Sequence, residues 1–231
     1  MTAPVKRPTL IGDRTMTLKA VPFFTQLNDR ELDVIRTLAV EKAYPRTAVV
    51  LTEGEMGDSL YMIQTGKVKV FIGDEDGREI ILKILGPGDF FGEMSMIDKQ
   101  PRSASVTTIE SSTFLVLTHA AFEKCVEQAP RIGNMVMRML AQRVREADRK
   151  IGTLALMDVY GRVASTLLEL SVYSNGKLMV GEKLSQQDLA NMVGASREMV
   201  NRILKDLSDR GFISIESKAI TIINRELPPS L

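Results

Sequence analysis

Phe91-Gly92-Glu93-Met94-Ser95-Met96-Ile97-Asp98-Lys99-Gln100-Pro101-Arg102-Ser103-Ala104-Ser105-Val106 is the stretch on which the reading of this chain turns. Gly92 and Glu93 open a short helical turn, and Arg102-Ser103-Ala104 returns opposite it. Backbone N–H groups at the start of such a turn point at an anion, aided by the dipole of the helix terminus. Arg102 adds a charge-assisted fork and Ser103 a hydroxyl donor, while ionised Glu93 only accepts. Gly92, Glu93, Met94 and Ser95 on one side, with Arg102, Ser103 and Ala104 on the other, are therefore candidate contacts to a small anionic ligand. A solvated loop with Arg102 paired to a surface carboxylate has the same letters, so the context decides.

Upstream lie Glu53-Gly54-Glu55-Met56-Gly57-Asp58-Ser59-Leu60-Tyr61, then Gly66 before Lys67-Val68-Lys69-Val70-Phe71, then Leu85-Gly86-Pro87-Gly88-Asp89-Phe90. The glycines fall where short strands need tight turns between them. Short apolar runs at Ala48–Leu51, Tyr61–Ile63, Val68–Ile72, Ile80–Leu85 and Thr113–Leu117 read as strands, with Gly73-Asp74-Glu75-Asp76-Gly77 as a hairpin tip. Asn28 and Glu31 form a possible capping box for a helix through Leu38. The result is a β-roll, and it resembles the cyclic-nucleotide-binding domains, residues 91–106 being similar to their phosphate-binding cassette. The resemblance implies that the cassette holds a cyclic nucleotide and that Glu93 accepts from a ribose 2′-hydroxyl. A ligand-free roll of the same fold is the alternative.

Composition narrows the field. The chain has 231 residues, 44% hydrophobic and 26% charged, enough for one large or two modest domains with their own cores. The first twenty residues read as an arm, and the cations Lys6, Arg7, Arg14 and Lys19 have no apolar signal-peptide segment between them. A cytoplasmic protein with no membrane partner is expected. The single cysteine, Cys125, excludes a disulfide framework and thiolate-rich metal sites, so no metal is expected. Phe122 and Val126 beside it read Cys125 as a small buried hydrophobe. His119 starts a helix beginning near Ala120. A net charge of +1 favours no partner, so any case for nucleic acid is local.

Helical spacing follows the roll. Val136, Leu140, Val144, Ala147, Ile151 and Leu154 step by three and four into one apolar seam, with Arg138, Arg143, Arg145, Arg149 and Lys150 on other faces. The spacing fits a helix that pairs with a second copy; packing on its own domain is the simpler alternative. A further helix is expected over Val163–Val172, then a turn at Tyr173-Ser174-Asn175-Gly176.

The segment from Leu184 to Leu204 fits a helix-turn-helix. Ser185 caps the first helix with Asp188 three residues on, and Gln186 lies at its exposed start. Ala190 is small where two helices approach, and Gly194 supplies the positive φ of the turn. Ser196 caps the second helix, whose buried stripe is Val200, Ile203, Leu204 and Leu207. Arg197, Glu198, Asn201, Arg202 and Lys205 remain outward. The arginines can fork onto guanine and Glu198 can accept from cytosine; a solvated face with an Arg–Glu pair is the plainer reading. Phe212–Ile215 and Ile220–Ile223 around Glu216-Ser217-Lys218-Ala219 read as a β-hairpin wing.

Together the two ends resemble the cAMP receptor protein / FNR superfamily of bacterial transcription regulators, across nearly the whole chain. Leu154–Arg162 and Ser196–Lys205 resemble its cAMP receptor branch. The cysteine cluster of oxygen sensing is missing, and a haem sensor would have only His119 and Cys125 as strong ligands. The resemblance implies an α+β chain: an arm (1–20), a cyclic-nucleotide-binding β-roll (21–130), a dimerisation helix and hinge (131–157) and a winged helix-turn-helix (158–231). It implies a homodimer on double-stranded DNA at a palindromic TGTGA-like site, matched by Arg197, Glu198 and Arg202, with Ser185, Gln186, Ser196, Asn201 and Lys205 as the further candidate DNA contacts. An activator would also touch RNA polymerase, through loops such as Tyr173–Gly176.

One departure concerns the effector. Where the branch has a Thr-Ser pair reading adenine from the dimer helix, this chain has Ala147-Asp148, while Arg143 keeps its place. Ala147 has no hydrogen-bonding group, and Asp148 accepts where a hydroxyl was. Cyclic AMP and a guanine-bearing ligand such as cyclic di-GMP or cGMP both remain open. Two rival classes stand beside a regulator: a nucleotide-gated protein-interaction module, which the winged helix-turn-helix opposes, and an enzyme, for which Glu93 has no acid–base companion.

Overall fold

The structure is a computed structural model that describes residues 27–174, 176–180, 185–216, 219–224 and 226–228. The expected arm at 1–20, Asn175 of the turn, Leu184, and Ser217 and Lys218 at the wing tip lie outside the described residues. Two compact units divide the chain: the described residues up to Val70 together with Ile84–Arg138, and Phe71–Lys83 together with the described residues from Met139 onward.

In the first unit, helix α1 (Asp29–Leu38) begins at the expected capping box: Asn28 Oδ1 accepts from Glu31 N at 3.0 Å and Glu31 Oε2 from Asn28 N at 2.8 Å. The strands that follow are β1 (Val40–Tyr44), β2 (Val49–Leu51), β3 (Ser59–Thr65), β4 (Val68–Gly73), β5 (Glu79–Leu85), β6 (Phe90–Phe91), β7 (Ser105–Thr108) and β8 (Ser112–Thr118). One sheet runs β1-β8-β3-β6, the other β2-β7-β4-β5, with β4 and β5 continuing into the second unit. Side chains of both sheets share one core, including Leu51, Ile63, Val68, Leu85, Val106 and Phe114. Tyr61 stacks on Phe91 at 5.1 Å between ring centroids, and Phe114 meets Phe91 edge-on at 5.4 Å. Such offset and edge contacts add to area burial in fixing ring positions. Strands β1, β6 and β7 were absent from the expected set.

The hairpin tip is as read: Asp74 Oδ1 accepts from the backbone of Asp76 and Arg78, and Gly77 takes φ 77°. Helix α2 (Glu93–Asp98) lies between β6 and β7, and α3 (His119–Gln128) starts at His119, capped by Thr118. Cys125 is fully buried on α3, and burial pushes its thiol up to about 11.

Helix α4 (Arg131–Leu156) runs on through Gly152. Ile132, Met135 and Val136 are buried, whereas Met137, Val144, Ile151 and Leu154 are exposed. Val136 thus faces its own core, and the seam continues from Met137 at heptad spacing. Among the described residues no helix is long and apolar enough to cross a membrane.

The second unit also contains α5 (Val159–Glu169), β9 (Ser171–Ser174), β10 (Lys177–Val180), α6 (Gln186–Val193), α7 (Arg197–Asp209), β11 (Ile213–Glu216) and β12 (Ala219–Ile222). The helix expected over 163–172 instead begins at Val159, because Asp158 caps it by accepting from Gly161 N at 2.8 Å. It ends before Ser171, where Val172 and Tyr173 pair with Met179 and Leu178 of β10. The sheet order β11-β12-β10-β9 makes the wing the outer hairpin of a four-stranded sheet. Tyr160, Val163, Leu167, Leu189, Val200 and Leu207 form the core beneath it. The architecture is the expected α+β one of β-roll, long helix and winged helix-turn-helix.

Candidate ligand cassette and nucleic-acid interface

Antiparallel pairing of Phe91 with Tyr61 and Phe90 with Met62 fixes the entry to the cassette. The chain then turns at Gly92, which has φ 81° and ψ 5°, directly before α2. A Cβ there would lie 2.7 Å from Ser59 O and 2.8 Å from Arg102 Nη1, so only glycine fits the turn.

Arg102, 6% exposed, is the centre of the cassette. Its Nη1 donates to Gly92 O at 2.6 Å and Ser95 Oγ at 2.5 Å, and its Nη2 donates to Ser59 O at 3.0 Å. Its backbone is pinned as well: Arg102 N donates to Glu55 O, and Gly54 N to Arg102 O, each at 2.9 Å. A Cβ on Gly57 would come within 2.5 Å of Arg102 Nε. Burial pulls the guanidinium below its ordinary range, opposed by Tyr61, Asp58 and Glu93. It stays a cation, because arginine holds its proton throughout the accessible range. Burial also raises the Tyr61 hydroxyl, with Tyr44 adding to the effect and Arg102 opposing it.

Of the residues expected in the cassette, Glu93, Ser95 and Arg102 are buried together, and Gly92 adjoins them. Met94 and Ser103 are exposed and meet at 3.5 Å, where the Ser103 hydroxyl donates to the Met94 sulfur. Ala104 is half-buried. Ser59 O holds Arg102 and Gly57 leaves room for its guanidinium, and in the sequence both read only as parts of a turn. Their role arises from a fold-back that brings residue 59 to residue 102, and local spacing contains no signal for it.

Arg143, Ala147 and Asp148 lie on α4 in the second unit, Arg143 half-buried and the other two exposed. Around them the same unit has contacts that sequence reading missed. Lys83 Nζ lies 2.7 Å from Glu146 Oε2, Gln142 Nε2 donates to Glu146 Oε1 at 2.9 Å, and Lys150 Nζ donates to Ile81 O and Leu82 O at 3.1 Å. Burial pushes the Glu146 carboxyl up, but hydrogen bonds from Lys83 and Gln142 outweigh it and leave the group lowered.

In the same unit, Ser185 caps α6 in a full capping box with Asp188, and Gly194 closes the helix at φ 64°. Ala190 is fully buried beside α7. Ser196 Oγ accepts from Met199 N at 3.2 Å and caps α7. Val200, Ile203, Leu204 and Leu207 are its buried stripe. Ser185, Gln186, Ser196, Arg197, Glu198, Asn201, Arg202 and Lys205 are all exposed. The outward side of α7 thus displays two guanidiniums, an amine, an amide and one carboxylate, a set able to read base edges and touch phosphate.

Residues 41–129 match the cyclic nucleotide-binding domain family, and residues 161–227 the Crp-like helix-turn-helix domain. The chain is 41% identical over 187 residues to the CRP-like cAMP-activated global transcriptional regulator of Mycobacterium tuberculosis, covering 79% of this chain and 84% of that one. It is 35% identical over 186 residues to the cAMP-activated global transcriptional regulator CRP of Klebsiella aerogenes, covering 78% and 87%. Among solved structures, the c-di-GMP responsive global regulator CLP of Xanthomonas campestris superposes with a TM-score of 0.75 at 27% identity, over 84% of this chain and 99% of that one. The Thermus thermophilus catabolite activator protein is 30% identical with a TM-score of 0.55, over 89% and 95%. With a buried arginine cassette in a β-roll at one end, a winged helix-turn-helix at the other and relatives of this identity, the chain belongs to the CRP/FNR family of transcription regulators.

Proposed function

We propose that this regulator is a cytoplasmic homodimer that binds a palindromic TGTGA-like site in response to a cyclic nucleotide, cyclic AMP first. The observation that carries the effector reading is the buried Arg102, whose guanidinium is held by the neutral oxygens of Gly92, Ser95 and Ser59 and brings a positive charge to the cassette. Two relatives named as cAMP-activated support the choice of nucleotide. Gly92, Glu93, Met94, Ser95, Arg102, Ser103 and Ala104 are the proposed phosphate and ribose contacts, with Arg143 on the long helix. The exposed apolar seam of α4 supports pairing with a second copy. Two recognition helices would then sit one DNA turn apart, roughly 34 Å. The effector shifts the dimer toward that spacing only by binding the DNA-competent form more tightly. RNA polymerase contact, for an activator, falls to the exposed Tyr173 region.

A second effector reading rests on Ala147 and Asp148, which are exposed on α4 and place a carboxylate where guanine N–H donors would find an acceptor. The likeness to a c-di-GMP responsive regulator supports it. Calorimetric titration with cyclic AMP and, separately, cyclic di-GMP tests both. Saturable heat with cyclic AMP, lost in Arg102→Ala, is expected; binding of the guanine ligand alone would move the specificity to Asp148. Silence with both would sink the nucleotide reading.

A further inference from the structure

Helix α7 has four charged residues at successive fourth positions, Glu198, Arg202, Asp206 and Arg210, so that Asp206 lies between two arginines, the second of them at the C-cap. A carboxylate so placed can pair with the arginine on either side, and an acid N-terminal to its base is the better-oriented pair. In the structure Asp206 is turned away from Arg202. Its Oδ2 accepts from Tyr160 Oη at 2.8 Å and from Arg210 Nη1 at 3.2 Å, and Arg210 Nη1 also donates to Tyr160 Oη at 3.3 Å. Arg210 is itself held over the Phe212 ring, 5.2 Å from its centroid.

Tyr160 is well placed for this. It is 2% exposed in the core of the second unit and sits in the first turn of α5, two residues after the cap Asp158. Arg162, in the same turn, donates to Leu154 O and Met157 O at 3.4 and 3.5 Å, so this turn also grips the end of the long helix. A buried phenol on one helix thereby fixes the direction of a carboxylate on the recognition helix. Were Asp206 to swing back one turn, it would meet Arg202 and occupy the planar fork that bidentate base recognition requires.

We propose that Tyr160 and Arg210 keep Asp206 away from Arg202, so that Arg202 is available to a DNA base, with Tyr160 acting as a positioning residue for sequence recognition. The inference rests on the reading of α7 as the DNA-contacting helix. Its test is selection of binding sites from randomised duplexes by the full-length protein with cyclic AMP, and in parallel cyclic di-GMP, followed by affinity measurements on the selected and a random duplex. Arg202→Ala identifies the base positions that Arg202 reads. Tyr160→Phe, which keeps the ring, is expected to weaken preference at those same positions by roughly tenfold while leaving random-duplex affinity nearly unchanged and the protein folded, with a melting point lowered by the lost hydrogen bond. Adding Asp206→Asn to Tyr160→Phe is expected to restore the preference, because the competing charge is gone; a merely structural role would not be rescued. Preference unchanged in Tyr160→Phe, or a loss that Asp206→Asn fails to repair, overturns the positioning role. If Arg202→Ala flattens no position, the reading of α7 falls and the proposal falls with it.

Discussion

Arg102 Nη1 lies 2.5 Å from Ser95 Oγ, which makes a buried serine an acceptor for the cation of the cassette. A hydroxyl that accepts from a guanidinium still has its own proton to donate. Ser95 can therefore hold Arg102 with its lone pair and offer its hydrogen to an anion. Ser95→Ala removes both, at a cost of about 1–3 kcal/mol for a buried charged group losing a partner. Calorimetry should show nucleotide affinity reduced roughly tenfold or more, with the roll still folded by circular dichroism. Wild-type affinity in Ser95→Ala would make the serine a spectator.

The turn glycines make a sharper test of the same site. Gly57→Ala puts a methyl within 2.5 Å of Arg102 Nε and Nη2. The guanidinium must move, so nucleotide binding should fall about as far as in Arg102→Ala. Gly77→Ala, in open space at the hairpin tip but also at positive φ, should cost only about 1 kcal/mol of stability and leave binding intact.

Val144 and Ile151 are 61% and 64% exposed, one heptad apart on α4. If the proposed homodimer pairs through this seam, replacing either with Asp shifts it from dimer to monomer in sedimentation velocity. On the proposed palindromic site, specific DNA affinity falls with it, since one of two half-site contacts is lost. A stable dimer in Ile151→Asp would move the subunit interface elsewhere.

Arg197 opens α7, the helix proposed to read DNA, and is exposed. Arg197→Ala is expected to cost about 1–3 kcal/mol on the cognate site and to flatten preference at one base pair. A loss equal on all duplexes, with a salt slope reduced by about one, would mark it as a phosphate contact instead.

Burial raises the Tyr160 hydroxyl, reinforced by its bond to Asp206, from an ordinary value near 10 to about 12. The folded state keeps this proton where the unfolded chain has released it. The contribution to stability is therefore complete below about pH 10 and is lost as pH climbs toward about 12. Denaturant titrations across that window should show a decline in stability that is shallower in Tyr160→Phe.

Local chemistry made the caps, turns and glycines legible before the fold was seen. Asn28, Ser185, Gly194 and Ser196 do what their positions required, because a cap is settled within four residues. What escaped was built at long range. Strand β1, Val40-Glu41-Lys42-Ala43-Tyr44, sets two charges side by side with no alternating pattern, and becomes a strand because β8 pairs with it from Val40↔Val116 to Tyr44↔Ser112. Val172 reads as the end of a helix and Tyr173 as the start of a turn until Met179 and Leu178 pair with them. In the cassette, Arg102 and Glu93 were visible as chemistry, but Ser59, 43 residues before Arg102, was not. The bond from Tyr160 to Asp206 spans 46 residues and was equally out of reach.

The burial of Cys125 has a practical consequence. It is the chain's single thiol, enclosed in the first unit with its reactivity suppressed, and the second unit has none. Thiol-reactive reagents should therefore label the folded protein slowly, at a rate set by opening of the structure around α3. The native protein contains its own clock for local unfolding of the sensor unit, readable with and without nucleotide. A cysteine introduced on the exposed side of α7 would label quickly beside it, giving one site for a spectroscopic probe without first removing the natural thiol.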